Sequence, residues 1–124
     1  MSKEKYHLDH FEDHEFECKC GCGLNEMDHN FVSKLDKARD KSIVKYILNS
    51  AHRCRVYNND VGGKVNSAHL KGLACDIRCE DMAHRKIMIH NLLKAKVRRI
   101  GVYFTFLHVD DDTTKKEGIY YGES

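Results

Sequence analysis

The chain has 124 residues, 41% of them hydrophobic and 32% charged, which suits one globular domain with a modest core and excludes a disordered chain. Its 21 Lys and Arg nearly balance 19 Asp and Glu, for a net charge of +2, so nothing points to the broadly basic face that nucleic acid requires. No run approaches the ~20 apolar residues that cross a bilayer, and the opening MSKEKYHLDHFEDHEFE has no apolar signal core. The expectation is a single domain over 1–124, monomeric, made in the cytoplasm without a signal peptide, with neither nucleic acid nor membrane as partner.

Residues 1–15 are charged and His-rich. His7, His10 and His14 have helix-like spacing, which would suit a metal cluster. The preferred reading is a flexible, solvated lead-in, because nothing rigid fixes it. FECKCGCG (16–23) follows, where glycines break regular structure and Cys18, Cys20 and Cys22 alternate. From Asp28, a plausible N-cap, the pattern is helical, with Phe31, Val32, Leu35 and Ala38 on one face. SIVKYILNSA (42–51) has the β-branched alternation of a strand. NNDVGGKVNS (58–67) reads as loop.

LACDIRC (73–79) reads as a short buried strand. Asp81 is expected to cap a helix running to about Lys96, with Ile87, Ile89, Leu92, Leu93 and Val97 as its apolar positions. RRIGVYFTFLHVDDD (98–112) closes the core as two strands or one bent hairpin. The remaining tail, 112–124, is expected to pack loosely, and Asp111 and Asp112 to be exposed. Helix, strand, loop, strand, helix, strands describes a small α+β fold with a mainly antiparallel sheet.

Three residues in this order carry chemistry. Two imidazoles and a carboxylate, His69, Asp76 and His108, suit Zn²⁺ with a fourth position left for water. Asp76 lies in an apolar strand, where an unpaired carboxylate is costly and a metal would remove that cost. Strand alternation puts His108 and Asp110 on one face. Spacing alone leaves the plainer alternative open: a loop histidine, an Asp paired with an arginine, and a half-buried strand histidine.

The six cysteines, in a chain without a signal core, favour free thiols or metal ligands over disulfides. Cys18, Cys20, Cys22 and Cys54 together could hold a structural zinc, form a disulfide or remain free. Cys75 and Cys79 face away from Asp76 by alternation and read as core residues.

SAHLKGLACD (67–76) matches S-x-H-x-x-G-x-A-x-D, and the chain thereby resembles the zinc D-alanyl-D-alanine carboxypeptidases. That family includes vancomycin-resistance dipeptidases and phage L-alanyl-D-glutamate endolysins, and the hedgehog signalling domain shares its fold. FLHVD resembles the segment that supplies the last ligand. SAHRC with Asn58 resembles S-G-Y-R-C…N, and FECKCGCG the lead-in of phage-encoded members. The similarity runs from Phe16 to Asp111.

The resemblance implies zinc on His69, Asp76 and His108. It implies Arg53 at the substrate carbonyl or carboxylate, steadying the oxyanion. Ser67 would bind substrate or hold the His69 loop, and Gly72 would permit a tight backbone path. Many members carry Asp or Glu as general base three residues before the last His. Here that position is Thr105, a form that phage members also show. Asp110 is the nearest substitute, either as base or only to orient His108. The implied activity is zinc-dependent hydrolysis of peptidoglycan stem peptides near D-alanine, in cell-wall lysis of phage type. The contrasting reading is a non-catalytic zinc-fold module that binds cell wall or protein.

Overall fold

The computed structural model describes residues 5–122, so the ends of the lead-in and of the tail lie outside the described residues. The order is α1 (His29–Asp40), β1 (Leu48–Ser50), α2 (Arg55–Asp60), β2 (Ala74–Arg78), α3 (Met82–Lys94), β3 (Arg99–Val102), β4 (Phe106–Asp110) and β5 (Gly118–Tyr121), with 3-10 turns at Asp13–Phe16 and Ala68–Lys71. The strands form one sheet, β1-β2-β4-β3-β5, antiparallel except for the β3–β5 pair. This is the small α+β fold that the sequence predicts. Among the described residues no helix is long and apolar enough to cross a membrane.

Caps and periodicity explain the two long helices. The Asp28 carboxylate accepts the Phe31 N–H at 2.9 Å, and the Asp81 carboxylate accepts the His84 N–H at 3.0 Å. Each satisfies an amide that a helix start otherwise leaves open. Phe31, Val32, Leu35 and Ala38 are buried, as their spacing predicts. In α3 the buried positions are Met88, Asn91 and Leu92, while Leu93 faces outward. Strand alternation fills the other half of the core with Cys75, Ile77, Ile100, Leu107 and Val109.

The structure departs from expectation in four places. The lead-in is packed: Tyr6, Phe11 and Phe16 are buried, with ring centroids 5.4 Å apart for Tyr6–Phe16 and for Phe11–Phe16. The Tyr6 hydroxyl also accepts the Met27 N–H at 2.9 Å. Three aromatics outweigh the charge around them, since each buries a large apolar surface. His10 pairs with Asp40 and His14 with Glu12, and the lead-in histidines are not among the groups that converge on a metal-sized space. The strand expected over 42–51 is only three residues long, and α2 occupies the start of the expected loop. The tail adds β5 to the sheet edge, although most of its side chains are exposed.

The fourth departure is the acidic run after β4. Asp111 and Asp112 are buried, not exposed. Asp111 accepts from Lys34 at 2.6 Å and from the Arg98 N–H at 2.8 Å. Asp112 accepts from Lys71 at 2.9 Å and sits 3.2 Å from the Lys115 ammonium. Cations from distant segments offset the cost of removing each carboxylate from water.

Burial alone would raise the Asp112 pKa. Hydrogen bonds from Thr114 and Lys71 outweigh that and hold it well below the usual carboxylate range. A depressed folded-state value gives stability that is present above the unfolded value of ~3.9 and lost as pH falls below it. Asp112→Asn is therefore expected to cost about 2 kcal/mol at neutral pH. In thermal melts its gap from the parent chain should close as the pH is taken below ~4.

Gly72 adopts φ +71°, and a Cβ there would lie 2.3 Å from the Glu26 carbonyl oxygen. Gly72→Ala meets both a left-handed backbone and a backbone clash. It is expected to destabilise by at least ~2 kcal/mol in urea unfolding.

Candidate metal centre

The same alternation that buries Cys75, Ile77, Leu107 and Val109 sends Asp76, His108 and Asp110 to the opposite face of the sheet. Asp76 and His108 are direct cross-strand partners in the β2–β4 ladder. On the other flank of β2 the β1 register shifts between Leu48 and Ser50, which sets Ser50 opposite Asp76. Such bulges re-aim a strand's side chains.

His69 arrives from the loop that precedes β2. The Ser67 hydroxyl accepts the His69 N–H at 3.2 Å, and Gly72 ends the turn in the left-handed conformation. His69 is buried, and its Nδ1 lies 2.7 Å from the Ala51 carbonyl oxygen. A carbonyl only accepts, so Nδ1 carries the proton. The Nε2 atom, 3.2 Å from Asp76 Oδ1, is left with its lone pair in the neutral ring. His108 Nδ1 lies 2.9 Å from that same Oδ1. Ligand atoms of His69, Asp76 and His108 all fall within 4.8 Å of one another. Three electron-rich atoms thus face a common point, which calls for a proton or a cation between them.

The second nitrogen of His108 lies 2.8 Å from Asp110 Oδ2. Asp110 is 1% exposed, ion-paired with Arg99 at 3.2 Å, and accepts the Asp112 N–H at 3.0 Å. Arg99 is its cross-strand partner on β3. Burial raises the carboxyl pKa of both Asp76 and Asp110. Hydrogen bonding to His108 outweighs it in each, aided at Asp76 by His69, and both lie below the usual range. For His108 burial favours the neutral ring, but hydrogen bonds to Asp110 and Asp76 dominate and raise its pKa.

Arg53 points at the same centre. Its Nη2 donates to Asp76 Oδ2 at 3.1 Å, Nε to the Ser50 hydroxyl at 2.9 Å and Nη1 to Asn58 Oδ1 at 3.2 Å. Arg53, Ser67, His108 and Asp110 line one cleft of ≈ 500 Å³, with Lys64, Lys115, Tyr103 and Tyr120 on its walls. His69, Asp76, His108, Asp110, Arg53 and Ser67 therefore meet at one place, while Cys18, Cys20, Cys22 and Cys54 gather in a separate cluster. Thr105 is exposed at the β3–β4 turn, with its carbonyl accepting the Cys79 N–H. Sequence reasoning missed Ser50 and Arg99. Only the strand register reveals them, since neither belongs to a local motif.

The sequence profile of the peptidase M15 family matches residues 9–110. The chain belongs to this family. No curated protein matches it. M15 peptidases depend on zinc, and the donor chemistry fits that ion: two imidazole nitrogens and one carboxylate, with a lone pair from His69 aimed at the shared point.

In the metal-free chain the His108 ring sits between two carboxylates, which favour its protonated form. A raised folded-state pKa contributes stability that is complete below the unfolded value of ~6.5 and is lost as pH rises through the folded value. Thermal melts in chelator should therefore show declining stability on the alkaline side, and His108→Gln should flatten that decline.

Proposed function

We propose that this M15 peptidase hydrolyses peptidoglycan stem peptides near D-alanine, as a cell-wall lysis enzyme of phage type. His69, Asp76 and His108 would hold the zinc. The observation that carries the reading is the convergence of His69 Nε2 and His108 Nδ1 on one oxygen of Asp76. Zinc bound there supplies Lewis-acid polarisation of a carbonyl and acidifies water toward a pKa of ~7, so hydrolysis does not wait on a strong base.

The chain's own groups do the rest. The Ala51 carbonyl fixes the His69 tautomer and leaves Nε2 to the ion. Of the two roles the sequence leaves open for Asp110, we assign the positioning one. Its oxygens already serve His108, Arg99 and the Asp112 amide, and it is buried. Its hydrogen bond turns His108 Nδ1 toward Asp76 and raises the ring's basicity. Arg53 is held by Ser50 and Asn58 while its guanidinium lines the cleft, preorganised to meet a developing oxyanion or a substrate carboxylate. Ser67 holds the His69 loop through its hydroxyl.

The cleft wall carries Lys64, while Arg99 and Lys115 there are already paired with Asp110 and Asp112. A lysine beside Arg53 suits a peptide that ends in a free carboxylate, and we take this to favour carboxypeptidase over endopeptidase action. The binding-module reading keeps one support, the exposed Thr105 where relatives place a base.

The test is incubation of the purified chain with stem peptides ending in D-Ala-D-Ala, with and without chelator, read by mass. Loss of one alanine, abolished by chelator and by His69→Ala, is the expected result. Asp110→Asn should lower kcat/KM by about 10–100-fold through weaker metal binding, and added zinc should partly restore it. Zinc bound with no cleavage of any stem peptide would instead favour the binding module.

A further inference from the structure

Four cysteines gather away from the sheet face. Cys18, Cys20 and Cys22 lie in one loop, and Cys54 is the N-cap of α2. The Cys18 and Cys20 sulfurs are 3.5 Å apart, and those of Cys20 and Cys54 are 3.7 Å apart. All four sulfurs fall within 4.8 Å of one another, and all four cysteines are free. These separations are too long for a disulfide bond of ~2.05 Å. A tetrahedron with metal–sulfur bonds of ~2.3 Å has edges of about 3.8 Å, close to the Cys18–Cys20 and Cys20–Cys54 separations. We infer that Cys18, Cys20, Cys22 and Cys54 form a second metal site, a structural tetrathiolate that takes zinc.

The surrounding backbone is built for it. Gly21 and Gly23 both adopt φ +87°, and a Cβ at either would meet nothing within 4 Å. Glycine is required there for the left-handed turn, not for space, and the two turns bring alternate cysteines to one side. The Cys18 N–H donates to the Leu24 carbonyl at 2.9 Å and closes the loop. The Cys54 N–H donates to Cys18 Sγ and the Tyr57 N–H to Cys54 Sγ, each at 3.4 Å. Amides directed at sulfur stabilise thiolates and orient them as ligands.

Binding exchanges four thiol protons, released to solvent, for one divalent ion, leaving a net charge of −2 on the site. Arg53 and Arg55 flank Cys54 in the chain. The arrangement of four sulfurs selects zinc over the harder divalent ions. Its place explains its use: the ion ties the N-terminal loop to the residue that follows Arg53. The site thus braces the segment carrying the guanidinium, independently of the ion at His69, Asp76 and His108.

The experiment reconstitutes the reduced chain and its variants with zinc and with cobalt. The parent chain should hold two zinc ions. His69→Ala should keep one, and its cobalt form should show the strong near-ultraviolet band of thiolate-to-cobalt charge transfer. Cys20→Ser/Cys22→Ser, at two exposed positions, should lose that band and keep the other ion. Should the cysteine variant fail to fold, thiol counting on the parent chain decides: the cluster should react with a thiol reagent only after chelation. The inference is overturned if His69→Ala retains no metal or gives no thiolate band. Non-reducing mass analysis of the chain as purified, showing the four cysteines as disulfides, would overturn it equally.

Discussion

One oxygen organises the centre of this protein. Oδ1 of Asp76 faces His69 Nε2 at 3.2 Å and His108 Nδ1 at 2.9 Å, while Oδ2 takes a guanidinium N–H from Arg53 at 3.1 Å. A buried carboxylate is tolerated only with compensation. Arg53 supplies one positive neighbour, and His108 supplies another when protonated. His69 supplies none in its neutral form, because its only proton is committed to the Ala51 carbonyl. The electrostatic demand at this point is thus for a cation that accepts three lone pairs, and that demand links the fold to the zinc dependence of the M15 family.

The scaffold meets the demand with few devices. Strand pairing sets Asp76 against His108 without a loop between them. The β1 irregularity brings Ser50 alongside to steady Arg53. After β4, three consecutive aspartates turn inward, and each finds a cation from another segment: Arg99 for Asp110, Lys34 for Asp111 and Lys71 for Asp112, which Lys115 three residues on also meets. Those pairs anchor the end of β4, so the backbone that carries His108 has little freedom to withdraw.

Much of this was legible from residues close together in the chain. Asp28 and Asp81 announced their helices because an N-cap and its periodic face are local signals. Ser67, His69, Gly72 and Asp76 sit within ten residues and could be read as one motif, whereas joining the distant His108 to them rested on the family resemblance. What stayed hidden depends on distant partners. Asp111 and Asp112 look like solvated acids until the fold supplies Lys34 and Lys71. Arg99 gains meaning only from its register opposite Asp110. The lead-in reads as charged because Tyr6 and Phe11 are sparse among acids and histidines, though both are buried. In α2, RVYNND contains poor helix formers, and its start rests on a cysteine cap rather than on a usual one.

The β4 ladder has a further consequence for biogenesis. Leu107 and Val109 alternate with His108 and Asp110 along the strand. A hairpin that zipped up one residue out of step would drive an imidazole and a carboxylate into the hydrocarbon interior and push two aliphatic groups into solvent. Such a mispaired conformer would be both insoluble and inert. The alternation thus favours the one register that buries Leu107 and Val109 and sets His108 against Asp76.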